Sequence, residues 1–191
     1  YDALHGVARH IAEALESYLE VPAGTLSTML TGGNTVLRSI HYPAPTDHKP
    51  DRLWAAPHED INLMTLLIEA RGAGLEILTK EGEWLPIHCE PSEIILDTGD
   101  MMAQLTNGLL PAVTHQVVAP ERVQTSRYSM PFFVHPEPNV LLRPICSPKV
   151  KPSMETNFPT ATQYLNERLR QNGVLTVDFD PLDDEFLGLD D

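Results

Sequence analysis

The sequence predicts a mainly β fold, an antiparallel sandwich or barrel with helices at its flanks. Three observations point there. Short apolar stretches recur between residues 36 and 145 with turn residues between them, the pattern of packed antiparallel strands and not of βαβ units. Seventeen prolines in 191 residues favour loops and short strands over long helices. Helical periodicity shows only near the two ends.

Taken in order, residues 2–20 place Leu4, Val7, Ala8, Ile11, Leu15, Tyr18 and Leu19 at helical spacing. This is an amphipathic helix on which His5 and His10 are surface or packing residues. Residues 21–34, with Pro22, Gly24, Gly32 and Gly33, read as a loop. VLRSIHYP (36–43) is strand-like and ends at a proline, and a turn-rich linker (44–57) follows. Strand patterns then run through INLMTLLIE (61–69), a turn at Gly72–Gly74, and LEILT and WLPIH as a hairpin around residues 80–83. EIILD, MMAQLT, THQVVAP, SRYSMPFFVHP and LLRPI continue the series, with turns at Thr98-Gly99-Asp100 and Asn107-Gly108. Residues 160–172 form a closing amphipathic helix, capped by Thr160 or Thr162 and stopped near Gly173. Residues 1–176 thus read as one domain with a sizeable core, and 177–191 as an acidic tail.

The net charge is −14 and the pI about 4.8, which argues against a nucleic-acid partner, since that needs basic patches. Half of the charge comes from seven acidic residues in the last fourteen, interleaved with Phe179, Leu182, Phe186, Leu187 and Leu189. Cys89 and Cys146 lack metal or redox spacing and read as buried or free thiols of a reducing, cytoplasmic compartment. No run of eighteen apolar residues and no signal-like start point to a membrane or to secretion. The first residue is Tyr1 and falls at a helix start, so the parent protein is expected to continue N-terminally.

The chemistry concentrates in His58-Glu59-Asp60, in His115 and in Arg127-Tyr128-Ser129. Eight histidines and twelve aspartates give about half a His-x-Asp by chance, so order and setting carry the signal. On a strand, residues two apart share a face, which aims His58 and Asp60 at one ion while Glu59 points away. His115, sharing a face with Val117, supplies a second imidazole. Two imidazoles and one carboxylate make a facial set with three open positions, which suits Fe(II) that must also bind a co-substrate and O2. Arg127 and Ser129 again share a face; a guanidinium fork and a hydroxyl together grip a carboxylate. His88-x-Glu90 and His135-x-Glu137 repeat the His-x-carboxylate spacing, but each is broken by an adjacent proline. His41, beside Tyr42, is placed to line a pocket.

These residues, with LRSIHYP before them and GLEIL, GEWLPI and IILDTGD between, resemble the 2-oxoglutarate- and Fe(II)-dependent oxygenases. The similarity runs from about residue 35 to 145 and is nearest the isopenicillin N synthase-like branch. It implies a double-stranded β-helix (a cupin-like jelly roll) and about a hundred further N-terminal residues than are present here. It implies Fe(II) on His58, Asp60 and His115, with O2 and 2-oxoglutarate as co-substrates. The far carboxylate of 2-oxoglutarate would be held by Arg127 and Ser129, beside Tyr42 of the family's Asn-Tyr-Tyr-Pro motif. Ile40 and His41 replace that motif's first two residues. Phe133 and Asn62 match positions that line the substrate pocket. The implied reaction hydroxylates, desaturates or cyclises a small organic molecule, releasing succinate and CO2. Leu63, Met64, Leu66, Met101, Met102 and Phe132 would make the pocket apolar, or else form plain core. Two other readings stand beside this one: an iron oxidase of the same fold that does not use 2-oxoglutarate, and a non-catalytic metal-binding jelly roll.

Overall fold

A computed structural model describes residues 1–44, 52–71, 74–90, 92–119 and 126–175. The acidic tail, residues 45–51 of the linker and Gly72 lie outside them. The predicted first helix is α1 (Asp2–Leu19), and the closing helix is α3 (Ala161–Gln171). Thr160 caps α3 in a reciprocal box: its hydroxyl accepts from the Gln163 N–H, and the Gln163 side chain accepts from the Thr160 N–H.

Two antiparallel sheets lie between these helices in sequence. In the first, β1 (Val36–Leu37) and β2 (Ile40–Tyr42) both pair with β9 (Arg127–Val134), which pairs with β4 (Met64–Arg71), which pairs with β7 (Ile95–Thr98). The second runs β3 (Leu53–His58), β8 (His115–Val118), β5 (Leu75–Leu78), β6 (Trp84–Pro86). With β1 and β2 counted as one broken strand, the first pairs with the last, the second with the next to last, and so inward. Successive pairs alternate between the sheets, so the chain is one long hairpin rolled over itself. That is a jelly roll, as the resemblance implied.

Four elements differ from the sequence reading. The strand predicted over 36–43 breaks opposite Pro131, whose carbonyl accepts from the Arg38 N–H but which has no N–H to return. The end of the predicted linker is instead β3. Pro57 is tolerated there because β3 is an edge strand, paired among the described residues with β8 alone. MMAQLT is not a strand but α2 (Asp100–Leu105), started by an extended Gly99 and an acidic first turn, and built from good helix formers. LLRPI forms no strand; Leu141 makes a single bridge to Thr160.

The hydrophobic core lies outside the sandwich. Phe132 and Val134 of β9 and Met64 and Leu66 of β4 point away from the second sheet and pack with Ala8, Ala12 and Leu19 of α1. Met101, Met102 and Leu105 of α2, Leu30 of a short 3-10 turn (Ser27–Leu30), and Leu26 and Leu142 complete that layer. The alternate residues of the same strands, Thr65, Leu67, Pro131 and Phe133, face inward and line a cavity of about 390 Å³ between the sheets. The residues nominated as pocket or core are therefore all core, and one position along each strand divides the two roles.

Candidate metal centre

The cavity is walled by Leu75, Ile77, Ile87, Val113 and Val117 and by the inward side chains of β4, β7 and β9. His58, Asp60 and His115 converge at it, and their ligand atoms all lie within 4.8 Å of one another. The Nε2 atoms of His58 and His115 stand 3.9 and 4.0 Å from Asp60 Oδ1. His58 and His115 are register partners at the end of the β3–β8 pair, which sets their rings 4.3 Å apart. Asp60 reaches the same point by another route than the one predicted. β3 ends at His58, and Asp60 sits in the turn that carries the chain from the second sheet to the first.

Backbone carbonyls orient both imidazoles. His58 Nδ1–H donates to Ala56 O (2.7 Å) and His115 Nδ1–H to Val113 O (3.0 Å), leaving each Nε2 with its lone pair toward the cluster. Asp60 is 8% exposed. Its Oδ2 accepts from the Thr65 hydroxyl, which in turn accepts from Asn62 Nδ2 (2.9 Å), so Oδ1 is left for an ion. Three donors of this kind, pre-aimed from one side, fit a divalent metal of the Fe(II) type. Among the described residues, no other group of His, Cys, Asp and Glu converges in this way. His88 and His135 stay outside the cluster; Cys89 and Cys146 are free thiols.

The turn bearing Asp60 is held by α2. Asp100 N–H donates to Asp60 O (2.8 Å) and Met101 N–H to Asn62 O (3.1 Å). The approach is so close that a Cβ on Gly99 would stand 2.4 Å from Asn62 O and 2.7 Å from Asp60 O. Only glycine fits there, which gives the LDTGD segment a physical meaning that sequence inspection missed.

Arg127 and Ser129 lie on one face of β9, buried and lining the cavity. Tyr42 is the register partner of Arg127, and the guanidinium carbon lies 5.0 Å from the centre of its ring. Arg127 is 3% exposed, yet its Nε and Nη1 have no hydrogen-bond partner among the described residues. Burial depresses its pKa, while Tyr42 acts in the opposite direction. A buried guanidinium with unused donors is a receptor for an anion.

Of the two residues expected near a substrate, Phe133 lines the cavity, its ring centre 5.4 Å from the Arg38 guanidinium carbon. Asn62 does not. It is 1% exposed and lies behind Asp60, where its hydrogen bond to Thr65 steadies that carboxylate. His41 points the other way and stacks on Tyr128. The sequence carries no motif at Asp97, which shares the inward face of β7 with Ile95. Its Oδ2 lies 3.4 Å from His115 Nδ1. Burial and then the charge of Asp60 push its pKa up to about 7.

Residues 33–136, just over half of the chain, match the family described as the 2OG-Fe(II) oxygenase superfamily. The 2-oxoglutarate-dependent dioxygenase ecdK of Aspergillus rugulosus is 32% identical over 151 residues, covering 71% of this chain and 45% of its own length. A crystal structure assigned to the 2OG-Fe(II) oxygenase family, from Caulobacter crescentus, is 36% identical with a TM-score of 0.79, covering 90% of this chain and 57% of that one. A full-length Neurospora crassa protein, solved in complex with alpha-KG, shares the fold at a TM-score of 0.79 and 22% identity, covering 88% of this chain and 55% of its own. The chain spans less than half the length of the curated relatives it matches.

Proposed function

The chain belongs to the 2OG-Fe(II) oxygenase superfamily, and from that premise we propose that it is the catalytic jelly roll of a 2-oxoglutarate-dependent dioxygenase acting on a small organic molecule. The observation that carries this reading is the conjunction, in one cavity, of a His-Asp-His cluster with a buried arginine whose donors are unused.

His58 Nε2, Asp60 Oδ1 and His115 Nε2 would hold Fe(II), oriented by Ala56 O, Thr65 and Val113 O. Arg127 and Ser129 would take the distal carboxylate of 2-oxoglutarate, with Tyr42 against the guanidinium. Once bound, iron, 2-oxoglutarate and O2 supply the oxidising chemistry, with succinate and CO2 as co-products. The protein's own part is to orient both reactants and keep water away. The apolar walls exclude water and favour a largely apolar substrate, seated near Phe133, for hydroxylation, desaturation or cyclisation. A cavity of about 390 Å³ is within the range of small-molecule sites.

The family branch is read as isopenicillin N synthase-like. The acidic charge still speaks against nucleic acid, and no described helix is long and apolar enough to cross a membrane. The free thiols favour the cytoplasm.

An anaerobic titration tests the proposal. Adding Fe(II) and then 2-oxoglutarate should raise the weak visible charge-transfer band of the chelate, and Arg127→Ala should abolish it. Iron binding without any response to 2-oxoglutarate would turn the reading to an oxidase that uses another reductant. Absence of iron binding would leave a non-catalytic jelly roll.

A further inference from the structure

Glu59, the spacer between the two ligands of the His-x-Asp motif, points away from the cavity but does not end in solvent. Its Oε1 accepts from the Thr114 hydroxyl at 2.9 Å, and Thr114 immediately precedes His115. The Asp100 carboxyl is a near, like-charged neighbour of Glu59. Asp100 is the residue whose N–H holds Asp60 O, and its Oδ2 receives Arg168 Nε of α3 at 2.9 Å. Two side-chain links thus steady the Asp60 turn: Glu59 to Thr114 beside His115, and Asp100 to Arg168. The first joins the two ligand-bearing segments directly, and the second reaches the closing helix. None of the four lines the cavity.

We infer that Glu59 is a positioning residue for the metal: by bridging the Asp60 turn to the strand of His115, it fixes the separation of the three ligands and so sets how tightly a divalent cation is held. This rests on the metal-site reading above. Partners that orient ligands from outside the coordination sphere typically govern about 10- to 100-fold in affinity. A solvated spacer would govern none. Because Glu59 stands off the cavity, its loss should weaken the metal without altering the grip of Arg127 on a carboxylate.

Anaerobic titration of the metal-free protein with Co(II), followed by visible absorption, tests this, with thermal melts run on the same samples. Glu59→Ala is expected to weaken Co(II) by about tenfold or more while the protein stays folded at the titration temperature. Glu59→Gln, which keeps an acceptor for Thr114, should recover most of that loss. Thr114→Val should weaken the metal by itself and add little when combined with Glu59→Ala, since both break one bridge. Wild-type affinity in Glu59→Ala, fully additive losses in the double variant, or Glu59→Gln as weak as Glu59→Ala would each overturn the inference and leave the oxygenase reading intact. Failure of the wild-type protein to bind Co(II) would overturn both.

Discussion

The two faces of β9 and β4 share a backbone and differ in almost everything else. On the outer face, Phe132, Val134, Met64 and Leu66 are at most 1% exposed and packed on the helices. On the inner face, one residue along, Arg127, Ser129, Pro131, Phe133, Thr65 and Leu67 stand around the cavity. The outer face meets every demand that burial makes. The inner one keeps a buried cation with unused donors, and on the next strand of the same sheet a carboxyl, Asp97, has an oxygen unpartnered among the described residues. The same strands therefore carry stability outward and chemistry inward, and period-two alternation is the whole of the separation.

Substitutions on the two faces should separate accordingly. The largest effect is expected at the cluster itself. Asp60→Ala should abolish iron retention after gel filtration, whereas Glu90→Ala and Glu137→Ala should retain iron as the wild type does. Next, Phe132→Ala should cost about 3–5 kcal/mol in urea unfolding, as large core truncations do. Phe133→Ala on the cavity side should cost only about 1 kcal/mol or less, because its ring already borders open space. Equal costs would dissolve the distinction between the faces.

A smaller effect concerns His135, which burial keeps neutral, with a pKa depressed to about 4 from 6.5. The unfolded chain takes up this proton near pH 6.5 and the folded protein only near 4, so acidification through that window favours unfolding. The stability of wild type relative to His135→Gln should fall by about 2 kcal/mol between about pH 7 and pH 5. The comparison with the variant matters, because the raised pKa of Asp97 acts in the opposite sense over the same range. The smallest effect is the most discriminating. Arg127→Met should leave the ligand-free protein as stable as wild type, or more stable by about 1 kcal/mol, because it removes a buried charge with two donors unused among the described residues. A clear loss of stability would mean that Arg127 serves the fold and not a ligand.

Much of this was legible in the sequence, and what was not has identifiable causes. Alternation and turn residues revealed the strands, and the pairing of unlike donors at His58, Asp60 and His115 pointed to the cluster. The sides of the strands were not legible: nothing in LMTLLI distinguishes Leu66 from Leu67 until the layer above each is known. MMAQLT is too short to show a helical period, so only its helix-forming residues and the Gly99 start distinguish it from an apolar strand. β3 hid behind Pro57, which an edge strand accepts and a central one would not. Asn62 stood at a pocket-like position in sequence but lies behind the carboxylate it steadies, because the chain turns between Asp60 and Met64 instead of running on as a strand.

The displaced core has a consequence for how this protein is to be studied. A sandwich usually holds its sheets together with the side chains between them; here a cavity takes up part of that layer. An occupant of the cavity supplies contacts the chain itself does not, so binding and folding are thermodynamically linked in proportion to occupancy. A compound held at about a hundred times its dissociation constant adds about 2.7 kcal/mol to the folded state, as much as a good core side chain. Candidate substrates can thus be ranked by how far they raise the melting temperature, with iron and co-substrate present and oxygen withheld, before any product has been identified.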